Sequence, residues 1–296
     1  MLAFSSLLGN VEGQNIYRIW YDKPASYWEE ALPVGNGRIA AMVFGDPQLE
    51  QIQLNEETVS AGSPYQNYNE EAKTALPEMR RLIFEGKYEE AQNMAATKIL
   101  SQVGNEMPYQ TVGRLNIRYQ DHKKVNNYYR DLDISNAVAV TRYEVDGVEF
   151  TEETFASFTD QLVIRHIKAS KPGTINCELF FNTPMRDPKR SIYGKKGLRL
   201  EGITHGSRYF PGKVHYCADL DVKHKGGKVI TANDTLLSVQ GASELTLYIS
   251  MATNFVNYKD ISGDPYQRNK AYLKNAAKDY SKAPLILLLI RNNSIV

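Results

Sequence analysis

Of 296 residues, 42% are apolar and 23% charged, the proportions of an ordinary soluble globular protein with room for a sizeable core. Lys and Arg total 35 against 34 Asp and Glu; a formal charge of +1 supplies no single-sign field for phosphate backbones and argues against nucleic acid as the main partner. No window approaches the ~20 apolar residues of a membrane-spanning helix, and two cysteines make neither a disulfide scaffold nor a zinc ribbon.

Residues 1–14 read as an N-terminal tail or a signal remnant, because LAFSSLLG lacks the basic flank of a full signal peptide. Ile16 to Tyr21 alternates as a first strand, and Asp22-Lys23-Pro24 closes it. Ala25 to Glu30 then carries Trp28 into a hairpin with Asn36-Gly37 at its tip. Both tip residues tolerate the positive φ of a type I′ turn, which is the turn expected here. Ile39 to Phe44 is an apolar run suited to a strand covered on both faces. In Glu50 to Asn55, Ile52 and Leu54 share one face while Gln51, Gln53 and Asn55 share the other. Asn55, Glu56 and Glu57 fall where that strand ends, a place where recognition groups collect.

After Gly62-Ser63-Pro64 the period changes. Leu76, Met79, Leu82 and Ile83 recur at helical spacing, as do Tyr88, Ala91, Ala95 and Ile99, with Gly86 between the two sets. The expectation is a helical pair inserted between strands, with Pro77 in a first turn or at a break. From Tyr109 the β pattern returns in short stretches: Leu115 to Tyr119, Ala137 to Glu144, Val148 to Phe155 and Leu162 to Ala169. Asp146-Gly147 is a tight hairpin. Further strands are expected at Ile175 to Phe181, Gly197 to Glu201, Val214 to Val222, Lys228 to Ala232, Leu236 to Gln240 and Leu245 to Met251. Short strands spaced by turn residues specify a sandwich, not a βαβ fold.

Cys177 shares strand parity with apolar residues and Cys217 with His215, Asp219 and Asp221, so no disulfide between them is expected. Those four residues of HYCADLDVKH have metal-ligand chemistry, but same-face neighbours on a strand stand ~6.5 Å apart. That spacing cannot close four ligands on one ion, so the polar outer face of a half-buried strand is the expectation, with no metal. Asp264-Pro265 opens a helix, Asp at the cap and Pro at the first helical position. The stretch 284–296, PLILLLIRNNSIV, is off-pattern; a truncation or shifted reading frame is the favoured reading over a tail strand docked on the sandwich.

ALPVGNGRIAAMVFG followed by IQLNEETVSAG resembles the opening signature of glycoside hydrolase family 95, the α-L-fucosidases and related enzymes. The similarity continues through TALPEMRRLIFEGKYEEAQ, MPYQTVGRLNIRY, NYYRDLDISNAVAVTRYEVDGVEFTEETFAS and ATNFVNYKDISGDP, and so covers nearly all of Ile16 to Ala283. The resemblance implies an N-terminal β-sandwich that precedes a catalytic (α/α)6 barrel. The fold expected is therefore all-β: a large antiparallel β-sandwich (super-sandwich), residues 15–258, with a small inserted helical pair and a C-terminal linker helix, 259–283. The barrel itself is expected to be missing. By resemblance the substrate is a fucosylated glycan, hydrolysed with inversion, without a cofactor, in a secreted or periplasmic setting.

Glycoside hydrolysis needs two carboxyl groups across the scissile bond. The pairs Glu29-Glu30 and Glu56-Glu57 are adjacent, and strand neighbours point to opposite faces, so neither pair can flank one bond. They read as solvated or inter-domain carboxylates, and no catalytic residue is assigned. Trp28, Asn36, Arg38, Asn55 and Glu56 are the candidates for a substrate rim or an inter-domain contact, Trp28 offering a flat face to a sugar ring. Family members carry Trp two residues after the Thr matching Thr58, whereas Ser60 stands here, which puts sugar contact at that place in doubt. The competing readings are a stand-alone carbohydrate-binding or scaffold module, and a relative of the phosphorolytic family 65.

Overall fold

The computed structural model describes residues 17–101, 107–206 and 210–279. The tails expected at 1–14 and 284–296, and the last residues of the linker, lie outside them. Among the described residues sixteen strands form two antiparallel sheets. The chain begins with β1 (Arg18–Tyr21), β2 (Leu32–Gly35), β3 (Ile39–Val43) and β4 (Leu49–Glu56). After the helices come β5 (Gly113–Tyr119), β6 (Val125–Asp133), β7 (Val138–Val145), β8 (Val148–Ser157), β9 (Leu162–Ala169) and β10 (Ile175–Asn182). The rest are β11 (Lys189–Tyr193), β12 (Gly197–Ile203), β13 (His215–Lys225), β14 (Lys228–Asn233), β15 (Leu236–Ala242) and β16 (Glu244–Thr253). One sheet has nine strands in the order β1-β6-β7-β8-β9-β16-β13-β12-β11, and the other seven in the order β14-β15-β10-β5-β4-β3-β2.

Alternation builds the core. Ile52 and Leu54 of β4, Leu115 and Ile117 of β5, and Leu179 and Phe181 of β10 meet Val163, Ile167, Leu247 and Ile249 from the other sheet in one apolar cluster. Burying one such side chain contributes about 1.5–3 kcal/mol. β3 alternates buried and half-buried residues, so it is covered fully on one face only, not on both. Two strands escape the sequence pattern. β6 is polar along its length yet buries Arg130, Asp131, Leu132 and Asp133, and β11 is a short, mostly exposed edge strand.

Turn chemistry explains a contrast between two hairpins. Asp146 and Gly147 both adopt positive φ (+49° and +73°), the type I′ geometry. At the β2–β3 tip only Gly37 does (+94°), so the turn is not type I′. The Asn36 side chain shapes it instead, Oδ1 accepting from the backbone N–H groups of Arg38 (3.1 Å) and Ile39 (2.9 Å).

The helical insertion is α1 (Ala72–Phe84) and α2 (Tyr88–Met94), the latter running into a π-helical turn at Ala95–Ile99. Pro77 sits inside α1, past its first turn, and the helix continues through it on the packing of Ala75 and Leu82. The third helix, α3 (Pro265–Asp279), starts at Asp264, whose Oδ1 caps the N–H groups of Tyr266 (2.9 Å) and Gln267 (3.1 Å).

α3 corrects the reading of β13. It lies on the outer face of the nine-stranded sheet, where Leu273 joins a second apolar cluster with Val140, Phe155, Leu162, Ile164 and Tyr248. Cys217 and Asp219 are therefore buried and only His215 is exposed. Asn269 of α3 donates to the Cys217 carbonyl (3.0 Å), and Asp219 takes a bidentate contact from Arg199 (2.7 and 2.8 Å). Cys177 and Cys217 are both free and buried. Among the described residues no His, Cys, Asp or Glu group is gathered as for a metal ion, and no helix is long and apolar enough to cross a membrane.

Candidate functional site

The signature hairpin places Arg38 just beyond the turn that Asn36 closes. Its side chain crosses to the other sheet. Arg38 Nε donates to Gln161 Oε1 (2.6 Å), and Nη1 donates to Glu56 Oε1 (3.1 Å) and to the Met251 carbonyl (2.9 Å). The guanidinium also lies 4.9 Å from the ring centroid of Tyr272 in α3. Asn36 Nδ2 donates to the Ser157 carbonyl (2.8 Å), which fixes the turn to the end of β8.

Glu56 ends the inward-facing series Glu50, Ile52, Leu54, Glu56 of β4 and is 4% exposed, so it is not a solvated carboxylate. Its second oxygen accepts from Thr58 N (2.8 Å) and Thr58 Oγ1 (2.6 Å), and Thr58 Oγ1 meets Thr253 Oγ1 across the sheets. Burial pushes its carboxyl above the ordinary range, opposed by the Thr58 hydrogen bonds and by Arg38. Thr253 O and Phe255 O in turn accept from Arg268 of α3 (2.9 and 2.7 Å). The hairpin is thus joined to α3 along two routes, Arg38 to Tyr272 and Glu56 through Thr58 and Thr253 to Arg268.

Asn36, Arg38 and Glu56 come together; Asn55 and Trp28 do not join them. Asn55 faces the opposite side of β4 and lines a shallow depression of about 350 Å³ with Gly37, Arg38, Glu57 and Tyr109. Tyr109 donates to the Glu56 carbonyl (3.1 Å), and burial together with Glu56 and Glu57 pushes its phenol up to about 12. Trp28 sits in a 3-10 turn, Trp28–Glu30, half exposed, at the far end of β2 where Ala25 bonds the Phe44 carbonyl. Four residues of strand, about 13 Å, separate that end from the Asn36 turn. Ser60 forms an isolated bridge with Tyr109.

Sequence reasoning missed Gln161, Thr58, Thr253 and Tyr272. None but Thr58 is close to the signature hairpin in the sequence, and only the cross-sheet arrangement gathers them. The strand parity of Glu56 with Ile52 and Leu54 was the available sign that this carboxylate is buried.

The arrangement is a tie, and the chemistry open to it is limited. Arg38 spends its donors on protein acceptors, and both Glu56 oxygens are engaged. The Nη2 group of Arg38 has one longer contact, to the Gln161 carbonyl (3.4 Å), and Arg38 also lines the depression beside the hairpin.

The family model described as "Glycosyl hydrolase family 65, N-terminal domain" matches residues 19–258. Among curated proteins, alpha-L-fucosidase 2 of Arabidopsis thaliana is 31% identical over 83% of this chain and 31% of its own length. Two proteins described as "Probable alpha-fucosidase A", from Aspergillus niger and Aspergillus oryzae, are 26% and 22% identical, each over 88% of this chain and over 34% and 36% of their own lengths. The chain spans about a third of the length of these relatives. With the two-sheet sandwich and the match over 19–258, the chain belongs to the glycosyl hydrolase family 65 N-terminal domain family and is a fucosidase-like glycoside hydrolase N-terminal domain.

Proposed function

We propose that this chain is the platform domain of a family 95 enzyme that releases terminal α-L-fucose from glycans with inversion, and that the bond-breaking carboxyls belong to an (α/α)6 barrel. In this reading Asn36, Arg38 and Glu56 hold the signature hairpin against the linker helix α3, so that the sandwich sets the direction in which the chain leaves it. Asn55 and Trp28, whose side chains stay outside that tie, keep the rim role.

The observation that carries the reading concerns carboxyl groups. Hydrolysis needs two of them about 5–9.5 Å apart around an open site. Among the described residues, the depression beside the hairpin is lined by one carboxylate, Glu57, and a second depression, of about 380 Å³, by none, so neither of these two offers the pair. The fucosidase names of the relatives, of which the chain spans about a third, support the substrate and the division of labour. The test is incubation of the purified 296-residue chain with 4-nitrophenyl α-L-fucopyranoside, where no nitrophenol is expected above the buffer rate. Enzymatic release that co-purifies with the chain would overturn the division of labour.

A further inference from the structure

The outer face of the seven-stranded sheet carries a row of side chains that the hairpin tie does not use. In the strand register Gln53 of β4 is opposite Arg114 of β5, and Arg114 is opposite Asn182 of β10. Their side chains share one face because their neighbours Leu54, Leu115 and Phe181 point into the core. The depression of about 380 Å³ lies over this row, completed by Thr111, Gly113 and Thr183. That volume is within the range of small-molecule sites. Gly113 permits it: at φ +142° a Cβ here would meet the Asn182 carbonyl oxygen at 2.5 Å, so only glycine lets β5 and β10 close up at this point.

Arg114 and Asn182 are each held by a neighbouring side chain with polar atoms to spare. Arg114 Nη1 donates to Gln51 Oε1 (2.8 Å), and its guanidinium lies 5.7 Å from the Phe44 ring centroid. No carboxylate lines the depression, and among the described residues none is within ion-pair distance of Arg114. Asn182 Oδ1 accepts from buried Asn116 (3.2 Å), which leaves the Asn182 NH2 group to donate. The Gln53 amide has no hydrogen-bond partner among the described residues.

One oriented, uncompensated guanidinium among neutral amides and hydroxyls is a donor set for a carboxylate borne on a polyol. The guanidinium fork matches a carboxylate in two parallel hydrogen bonds. Amides can accept from one hydroxyl and donate to the next. We propose that this depression is a subsite for an acidic sugar unit, a uronate, with its carboxylate on Arg114 and its ring hydroxyls on Gln53 and Asn182. The sugar as carrier rests on the glycoside hydrolase reading; the preference for an anion rests on Arg114.

The test is calorimetric titration of the purified 296-residue chain with digalacturonate, with neutral galactobiose, and with sodium acetate. Saturable digalacturonate binding is expected, at least tenfold tighter than galactobiose and weakened at least tenfold by Arg114→Gln at unchanged far-UV circular dichroism. Should Arg114→Gln fail to fold, Gln53→Ala serves as the second variant, with a several-fold loss expected. Equal affinity for galactobiose, no digalacturonate binding, or acetate bound as tightly as digalacturonate would each overturn the subsite. A failed fucosidase reading would appear as absent fucoside hydrolysis in a protein of the relatives' full length, and would leave digalacturonate binding intact.

Discussion

Replacing Glu50 by Gln should remove a pH dependence of stability that runs opposite to that of most carboxylates. Glu50, on β4 of one sheet, and Glu152, on β8 of the other, share the single guanidinium of Arg165 on β9, and all three are fully buried. Glu152 is the better supplied anion, because the hydroxyls of Tyr119 and Tyr143 (2.8 Å for the latter) donate to it as well. Glu50 has Arg165 (3.0 Å) and the N–H groups of Phe44 and Gly45 (3.1 Å each), and burial with Glu152 nearby pushes its carboxyl from 4.5 to about 7. A carboxyl raised on folding contributes stability that is fully present below its unfolded value, 4.5, and is lost as pH rises through its folded value, about 7. At ~1.4 kcal/mol per pH unit, that window amounts to roughly 3 kcal/mol. The amide introduced by Glu50→Gln can still accept from Phe44 and Gly45 but cannot titrate. Urea unfolding followed by circular dichroism from pH 4.5 to 7.5 should therefore show the wild type losing about 3 kcal/mol relative to Glu50→Gln. A difference that stays flat within about 0.5 kcal/mol (roughly a sixth of the expected loss) would refute the burial argument for Glu50.

Arg38→Ala should strand the buried Glu56 carboxylate and cost roughly 3 kcal/mol or more in the same unfolding assay, with faster amide exchange in α3. A loss below about 1 kcal/mol with α3 exchange unchanged would mean that the hairpin and α3 are not coupled. Cys177 and Cys217 are fully buried, and burial pushes both thiols above their ordinary range, so neither should react with a thiol reagent in the native chain and both should in urea. Stoichiometric labelling of the native chain would contradict that burial.

The fold was legible where period-2 alternation reports burial directly. Leu162–Ala169 matches its expected bounds because Val163 and Ile167 hold the inward parity of a full-length strand. β6 was not legible, because Arg130 fills an inward position beside Leu132 and the buried residues of its other face are Asp131 and Asp133, where the pattern demands apolar residues. The same blindness hid Glu50 and Arg165, although each shares parity with obvious core residues, Ile52 for one and Val163 with Ile167 for the other. Parity places a side chain on a face, but it cannot say that a charge on the core face has found partners. The site was half legible for a related reason: the turn and strand end marked Asn36, Arg38 and Glu56, whereas Thr253 and Tyr272 become neighbours only through packing.

Three arginines show why the peripheral segments are attached in a way that periodicity cannot report. Arg165 binds one sheet to the other, as above. Arg130 draws in the segment after β1: it donates to the carbonyls of Lys23 (2.8 Å) and Glu30 (2.7 Å) and lies 4.1 Å from the Tyr21 ring centroid. Arg38 reaches the Met251 carbonyl and α3. A guanidinium carries five donors in a rigid fork, so one residue can satisfy several backbone carbonyls of an irregular segment that has no ladder of its own. Such a segment buries too little apolar surface to leave a hydrophobic stripe in the sequence, yet it cannot detach without stranding a buried charge. The same device holds α3, whose Arg268 donates to the Thr253 and Phe255 carbonyls, while Arg38 adds its contact with the Tyr272 ring, so the placement of α3 depends on the signature hairpin as well as on the apolar cluster beneath it.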